Sequence, residues 1–185
     1  MEAKGGVVAS VPKFVLETFG DEAYEKWLAA ISPNARELFS GNVVASAWYP
    51  VGEMLVEPTQ KICELFYQGD MKGAWESGRF SAEVGLKGIY RIFVAIGTPY
   101  YIIKKAAIIL PTFYKPSAIE VADMGDKVVT LHITEFPEPS PVLDNRIAGW
   151  IERALEICGC KEVVVSMPKL ASKGDPFSIY RMSWS

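Results

Sequence analysis

The apolar positions of this chain change period past its middle: up to Pro111 they recur at helical spacing, and beyond it they alternate. Lys4 to Val11 (KGGVVASV) reads as the beginning of a strand. Phe14, Val15, Leu16 and Phe19 form a helical cluster behind Pro12, which suits a first turn, and Gly20 ends it. Asp21 caps a second predicted helix, Glu22 to Ile31, with Ala23, Trp27, Leu28 and Ile31 on its apolar face. Ser32 and Pro33 open a short helix to Phe39, and Val43 to Tyr49 reads as extended up to Pro50. Met54 to Tyr67 places Leu55, Ile62, Leu65 and Phe66 on one broad face, and Pro58 predicts that this helix starts or kinks beside it. After a break at Gln68-Gly69-Asp70, a long helix is predicted from Met71 to Ile96, with Gly73, Gly78, Gly85 and Gly88 inside it. Each glycine costs up to ~1 kcal/mol relative to alanine. Their repetition points to close approach of another backbone or a ligand, or to a loose helix. Gly97-Thr98-Pro99 separates it from a last helix ending near Leu110.

Beyond Pro111 the pieces are a strand at Ala118 to Ala122, a turn at Met124-Gly125-Asp126, and the strand KVVTLHITEF from Lys127 to Phe136. EFPEPSP is a loop by its prolines. Asp144 opens an amphipathic helix to Ile157, with Ile147, Trp150, Ile151, Ala154 and Leu155 inward and Gly159 as its stop. Val163 to Met167 and Phe177 to Trp184 are strands around a turn at Lys173-Gly174-Asp175-Pro176. The sum is one α+β domain over 1–185. A mainly helical part, 1–111, packs on a part, 112–185, that builds an antiparallel sheet of β-β-α-β-β order.

The most apolar stretch, Gly88 to Pro111, fails as a membrane span. A helical span needs about 20 mostly apolar residues, and here Arg91, Pro99, Lys104 and Lys105 interrupt. The stretch is therefore core or pocket wall. The chain has 185 residues, half of them hydrophobic, which is enough to bury a core without staples. A net charge of −3 without blocks of like charge argues against a nucleic-acid partner. The cysteines are odd in number (Cys63, Cys158, Cys160), and Met1 is followed by Glu2 and Lys4 rather than by a basic-then-apolar leader. A reduced, cytoplasmic protein is expected.

Three features resemble the haem–nitric-oxide-binding (H-NOX) domains. The chain opens on Lys4-Gly5 with an apolar run and then KFVLETFGDEAYEKWL. GTPYYIIKK is similar to the Thr-Pro segment that follows their long haem-bearing helix. The β-β-α-β-β tail resembles their C-terminal part. The wider superfamily includes 4-vinyl-reductase-like ligand-binding domains, TRAPP transport subunits and further bacterial domains of similar length, and the last are what this chain most resembles. The departures concern haem. H-NOX domains ligate it through a histidine in the helix before the Thr-Pro segment, and residues 82–96 contain none. They hold its propionates with Tyr-x-Ser-x-Arg, whereas Tyr114-Lys115-Pro116-Ser117 has another spacing and no arginine. The resemblance implies the fold and implies against haem, so no cofactor is expected.

The remaining chemistry is sparse. His132, the one histidine, faces opposite to Leu131 and Ile133 in its strand and reads as structural or surface. Cys158-Gly159-Cys160 could supply two thiolates, but zinc would need Cys63 and His132 to converge on the same point; the plainer reading is a helix end, so no metal site is assigned. Glu152 and Glu156 share a solvated helix face. No nucleophile, base or phosphate loop stands out, so no catalytic residue is assigned. Aromatics are the strongest feature. Trp48, Tyr67, Trp75, Tyr90, Phe93, Tyr101 and Tyr114 lie on segments that would enclose the ligand cavity of the resembled fold. They read as ligand-binding residues, with plain core packing as the alternative. Arg79 and Arg91 could meet an anionic group or face solvent. The expected function is non-catalytic binding of a small apolar or aromatic molecule, passed on to a partner protein or a second copy. The alternatives are an assembly module with a filled core and an enzyme with dispersed residues.

Overall fold

A computed structural model describes residues 1–86 and 108–185. β1 (Glu2–Lys4) turns at once into helix, so the expected strand over Lys4 to Val11 is confined to its first residue. The cause is Gly5. It donates to the Ala47 carbonyl at 2.8 Å, and a Cβ on it would overlap the Val44 carbonyl. Only glycine lets the chain turn against that loop. α1 (Gly5–Val8) and α2 (Ser10–Phe19) follow, and Gly20, at φ 84°, ends α2 as expected. α3 (Asp21–Ala30) and α4 (Pro33–Ser40) are next; the Ser32 hydroxyl caps α4 by accepting the Ala35 N–H at 3.3 Å.

β2 (Trp48–Pro50) leads into a wide π-helical turn, Gly52–Val56, and then α5 (Glu57–Phe66). Pro58 fills the first turn of α5, where its missing N–H costs nothing. α6 (Lys72–Leu86) starts where the Asp70 carboxylate accepts the Lys72 N–H at 2.8 Å. The predicted continuation of this helix to Ile96 and the break at Gly97-Thr98-Pro99 lie outside the described residues. Residues 108–113 are helical and pass through Pro111, beyond the predicted end at Leu110.

Then come β3 (Tyr114–Lys115), β4 (Ala118–Gly125), β5 (Val128–Glu135), α7 (Pro141–Ile157), β6 (Val164–Lys169) and β7 (Ser178–Ser183). α7 begins earlier than expected. Ser140, not Asp144, is its cap, accepting the Leu143 N–H at 3.2 Å, and Pro141 sits in its first turn. β4 to β7 form an antiparallel sheet of order β4-β5-β7-β6. A second, small sheet of order β2-β1-β3 ties the N-terminus to both neighbours, with Ala3 opposite Tyr49 and Tyr114. β3 thereby joins residues just past the expected boundary at 111 to the helical part.

Two cores result. Val8, Val11, Val15, Trp27, Leu55 and Ile62 pack between the N-terminal helices, and Trp27 donates its Nε1–H to the Pro58 carbonyl at 2.9 Å. α7 covers the inner face of the large sheet, setting Ile147, Ala148, Ile151 and Leu155 against Val129, Leu131, Tyr180 and Met182. α6 joins the two cores. Gly78 lies against the carbonyl of Arg146 in α7, and Gly149 against that of Trp75 in α6. No helix among the described residues is long and apolar enough to cross a membrane.

Candidate functional site

Where α6 and α7 cross, their backbones touch, and beside the crossing a cavity of about 360 Å³ remains. Val7 and Ala9 close it from the α1–α2 side, and Gly78, Ser81 and Val84 from α6. Leu110, Phe113 and the inner-face residues Ile119 and Leu131 form the opposite wall, and α7 adds Ile147, Trp150 and Ile151. Lys13, on the exposed side of α2, also lines it. The walls are mostly apolar because α7 carries more apolar side chains than the sheet can cover. Ile147 and Ile151 serve the sheet core and the cavity at once.

Three described lining residues are polar and buried, Ser81, Tyr114 and Arg146. Arg146 is 2% exposed. Its Nη1 donates to the hydroxyls of Thr59, at 3.3 Å, and Ser77, and its Nη2 to Ser10 at 3.4 Å. These three hydroxyls come from α5, α6 and α2. The Nε–H is buried and has no partner. No carboxylate of the described residues pairs with the guanidinium, and residues 87–107 contain neither aspartate nor glutamate. Burial pulls the Arg146 pKa down, with Tyr114 beside it acting the other way; burial pushes the Tyr114 phenol up, and Arg146 offsets part of that.

Of the aromatic residues expected to bind a ligand, Tyr114 lines this cavity. Trp48 stands elsewhere, on the small sheet, its ring between the Lys4 and Lys115 ammoniums at 4.4 and 4.3 Å. Tyr67 follows the end of α5 and packs edge-on against Phe19. Trp75 faces away from the cavity and donates to Glu152 at 2.8 Å. Tyr90, Phe93 and Tyr101 lie outside the described residues, as does Arg91. Arg79 binds its own neighbours, pairing with Glu152 and with Glu156 at 2.9 Å. An open groove of about 580 Å³ runs past Asp70, Trp75 and Arg79, with these internal ion pairs in its wall.

His132 is on the sheet face opposite α7, its Nδ1 3.4 Å from Glu120 and its ring against Phe177. The three cysteines are free thiols, and Cys63 belongs to a different cluster from Cys160. No group of three or more metal-binding side chains occurs among the described residues. Sequence reading missed Arg146, because an arginine in an amphipathic helix is ordinarily read as solvated. The available signal was its place three residues before Gly149, the glycine that sets that face against α6.

No protein-family model and no curated protein matches the chain. Its fold is that of the H-NOX domains. An H-NOX protein from S. oneidensis in the Fe(II) ligation state is 12% identical, with a TM-score of 0.78 over 98% of this chain and 96% of that one. The Fe(II) unliganded H-NOX protein from K. algicida is 11% identical, with a TM-score of 0.72 over 98% and 96%. A mutant H-NOX from T. tengcongensis is 14% identical, with a TM-score of 0.73 over 98% and 97%. The fold implied by the short sequence resemblances is thus the one observed, across nearly the whole chain.

Proposed function

We propose that this chain is a non-catalytic sensory domain that holds a small, largely apolar molecule in the cavity between α2, α6, α7 and the sheet. The observation that carries the reading is the cavity itself, about 360 Å³ in volume, in the range of small-molecule sites, about 300–1,000 Å³. A filled assembly module would leave no such space. The described lining holds no nucleophile–base pair, which supports binding rather than catalysis.

The reading is haem-free. The residues present do not fit an iron porphyrin. No imidazole or thiol lines the described walls, and the single histidine is on the far face of the sheet against Phe177. Gly78 and Arg146 line the cavity and also form the contact between α6 and α7. A guest therefore bears directly on the packing of these helices, a route by which occupancy reaches a partner protein or a second copy. A cytoplasmic location accords with the free thiols.

Protein purified from its native source, denatured and extracted, is expected to release a small molecule in stoichiometric amount. A clean extract, together with no thermal stabilisation by neutral apolar probes, would refute the reading. Incubation with haemin is expected to give no Soret band of an imidazole-ligated iron. Such a band, abolished in a His132→Ala variant, would overturn the haem-free assignment.

A further inference from the structure

The cavity is mostly apolar, but a deeply buried cation in its wall, Arg146, has no counter-charge among the described residues. Moving a charged group out of water carries a penalty of several kcal/mol even after relaxation, and buried charges are ordinarily paired. Arg146 departs from that rule. It is 2% exposed, and its partners are neutral: the hydroxyls of Ser10, Thr59 and Ser77 and the phenol of Tyr114. Nη1 lies against two hydroxyls, Nη2 against one, and the Tyr114 phenol is a further neutral partner, while the buried Nε–H has none. That Nε–H is on an edge by which a guanidinium binds a carboxylate. Ser10 is itself fixed, donating its hydroxyl to the Val7 carbonyl at 2.6 Å. Hydroxyls from three helices thus hold the guanidinium in place at the cavity wall, while none of them neutralises it.

We propose, resting on the binding function above, that the natural guest is an amphipathic carboxylate whose head group pairs with Arg146 and whose apolar body lies against Phe113, Leu131, Trp150 and Ile151. The phenol of Tyr114, beside Arg146, is a further donor for the same head group. At ~30 Å³ per water, the 360 Å³ cavity has room for about a dozen non-hydrogen atoms. That is the size of a medium-chain fatty acid or a bicyclic aromatic acid. Both are carboxylates with an apolar body, and the test separates them.

The test uses the full chain stripped of bound small molecules and titrated calorimetrically with two matched pairs, decanoate against decanol and naphthoate against naphthol. At least one acid is expected to bind roughly tenfold or more tighter than its alcohol, the size of one charge-assisted hydrogen bond. Which acid binds better assigns the aliphatic or the aromatic source. In Arg146→Met, whose fold is checked by circular dichroism, the order within the pair is expected to reverse. Arg146→Lys is expected to keep the acid ahead with a smaller margin. If the alcohols bind as well as the acids, or if Arg146→Met keeps the preference for acid, the carboxylate assignment falls and the cavity function stands. If neither acids nor alcohols bind, the cavity function falls and this inference with it.

Discussion

A Cβ placed on Gly78 would lie 2.8 Å from the carbonyl carbon of Arg146. The contact is reciprocal, because a Cβ on Gly149 would lie 2.9 Å from the carbonyl carbon of Trp75. Two opposed effects decide what alanine does here. It favours helix by up to ~1 kcal/mol over glycine, while overpacking a tight contact costs about 1–3 kcal/mol. The obstacle is backbone, which cannot swing aside, so overpacking wins. Gly78→Ala and Gly149→Ala are each expected to lose about 1–2 kcal/mol net, read as a lower urea midpoint at unchanged slope. Gly85→Ala, where nothing lies within 4 Å, is expected to be neutral or slightly stabilising.

Asp144 and Glu156, both on α7, are expected to impose opposite pH dependence on stability. Burial raises the Asp144 carboxyl above 3.8, against hydrogen bonds from Ser172 and Tyr180. Between 3.8 and that higher value, the folded chain binds more protons than the unfolded one. Stability from this group is therefore greatest at low pH and falls as pH rises through the window. Burial also acts on Glu156, but hydrogen bonds from Arg79 and Arg153 outweigh it and hold the carboxyl below 4.5. Its stabilisation is full above 4.5 and is lost as pH falls through the lower folded value. Asp144→Asn removes only the first effect. Urea midpoints taken from acid to neutral pH should show the variant gaining on the parent as pH rises, with the acid-side loss due to Glu156 unchanged.

Trp48→Leu should separate stability from binding. Its ring holds Lys4 and Lys115, and Lys115 also pairs with Glu2 at 3.1 Å, so the residue joins all three strands of the small sheet. Each exposed cation–π contact contributes about 0.5–1 kcal/mol, so a loss of about 1–2 kcal/mol is expected in thermal or urea unfolding. Affinity for cavity probes should not change. A parallel loss of affinity would show that the small sheet belongs to the site.

The thiols should be slow to alkylate at neutral pH. Burial raises the pKa of Cys63, Cys158 and Cys160, and carries Cys158 to about 11. Since the thiolate is the nucleophile, iodoacetamide labelling followed by mass spectrometry should lag far behind free glutathione. Labelling of Cys158 should climb steadily with pH and level off only near 11, above the plateau of an ordinary thiol.

What could be read from the sequence was what short-range chemistry enforces. KVVTLHITEF alternates, and Leu131 and Ile133 are buried with His132 turned away. Gly20 and Gly159 stop their helices at φ 84° and 90°. Ser32 and Pro33 open α4 as their side chains require. The small sheet could not be read, because its strands are two or three residues long and carry no period. Their pairing joins Glu2, Pro50 and Lys115 across the chain. Among the predicted site residues, aromatic character could not separate Tyr114, which lines the cavity, from Trp48 and Tyr67, which do not. Burial depends on which neighbour covers each ring, and that neighbour is distant in sequence. Arg146 was hidden for the opposite reason, since a positive charge signals solvent unless its surroundings are known.

The paired glycines at the α6–α7 crossing also act as a spacer of fixed width. Residues 78 and 149 set how near the two axes come, and the chamber beside them takes its breadth from that separation. Any side chain larger than hydrogen at either position would move the walls apart and resize the chamber while its apolar side chains stay the same. Under the proposed binding function, selectivity for guest size would be set by two positions that contribute no side chain of their own, one of them, Gly78, in the chamber wall itself.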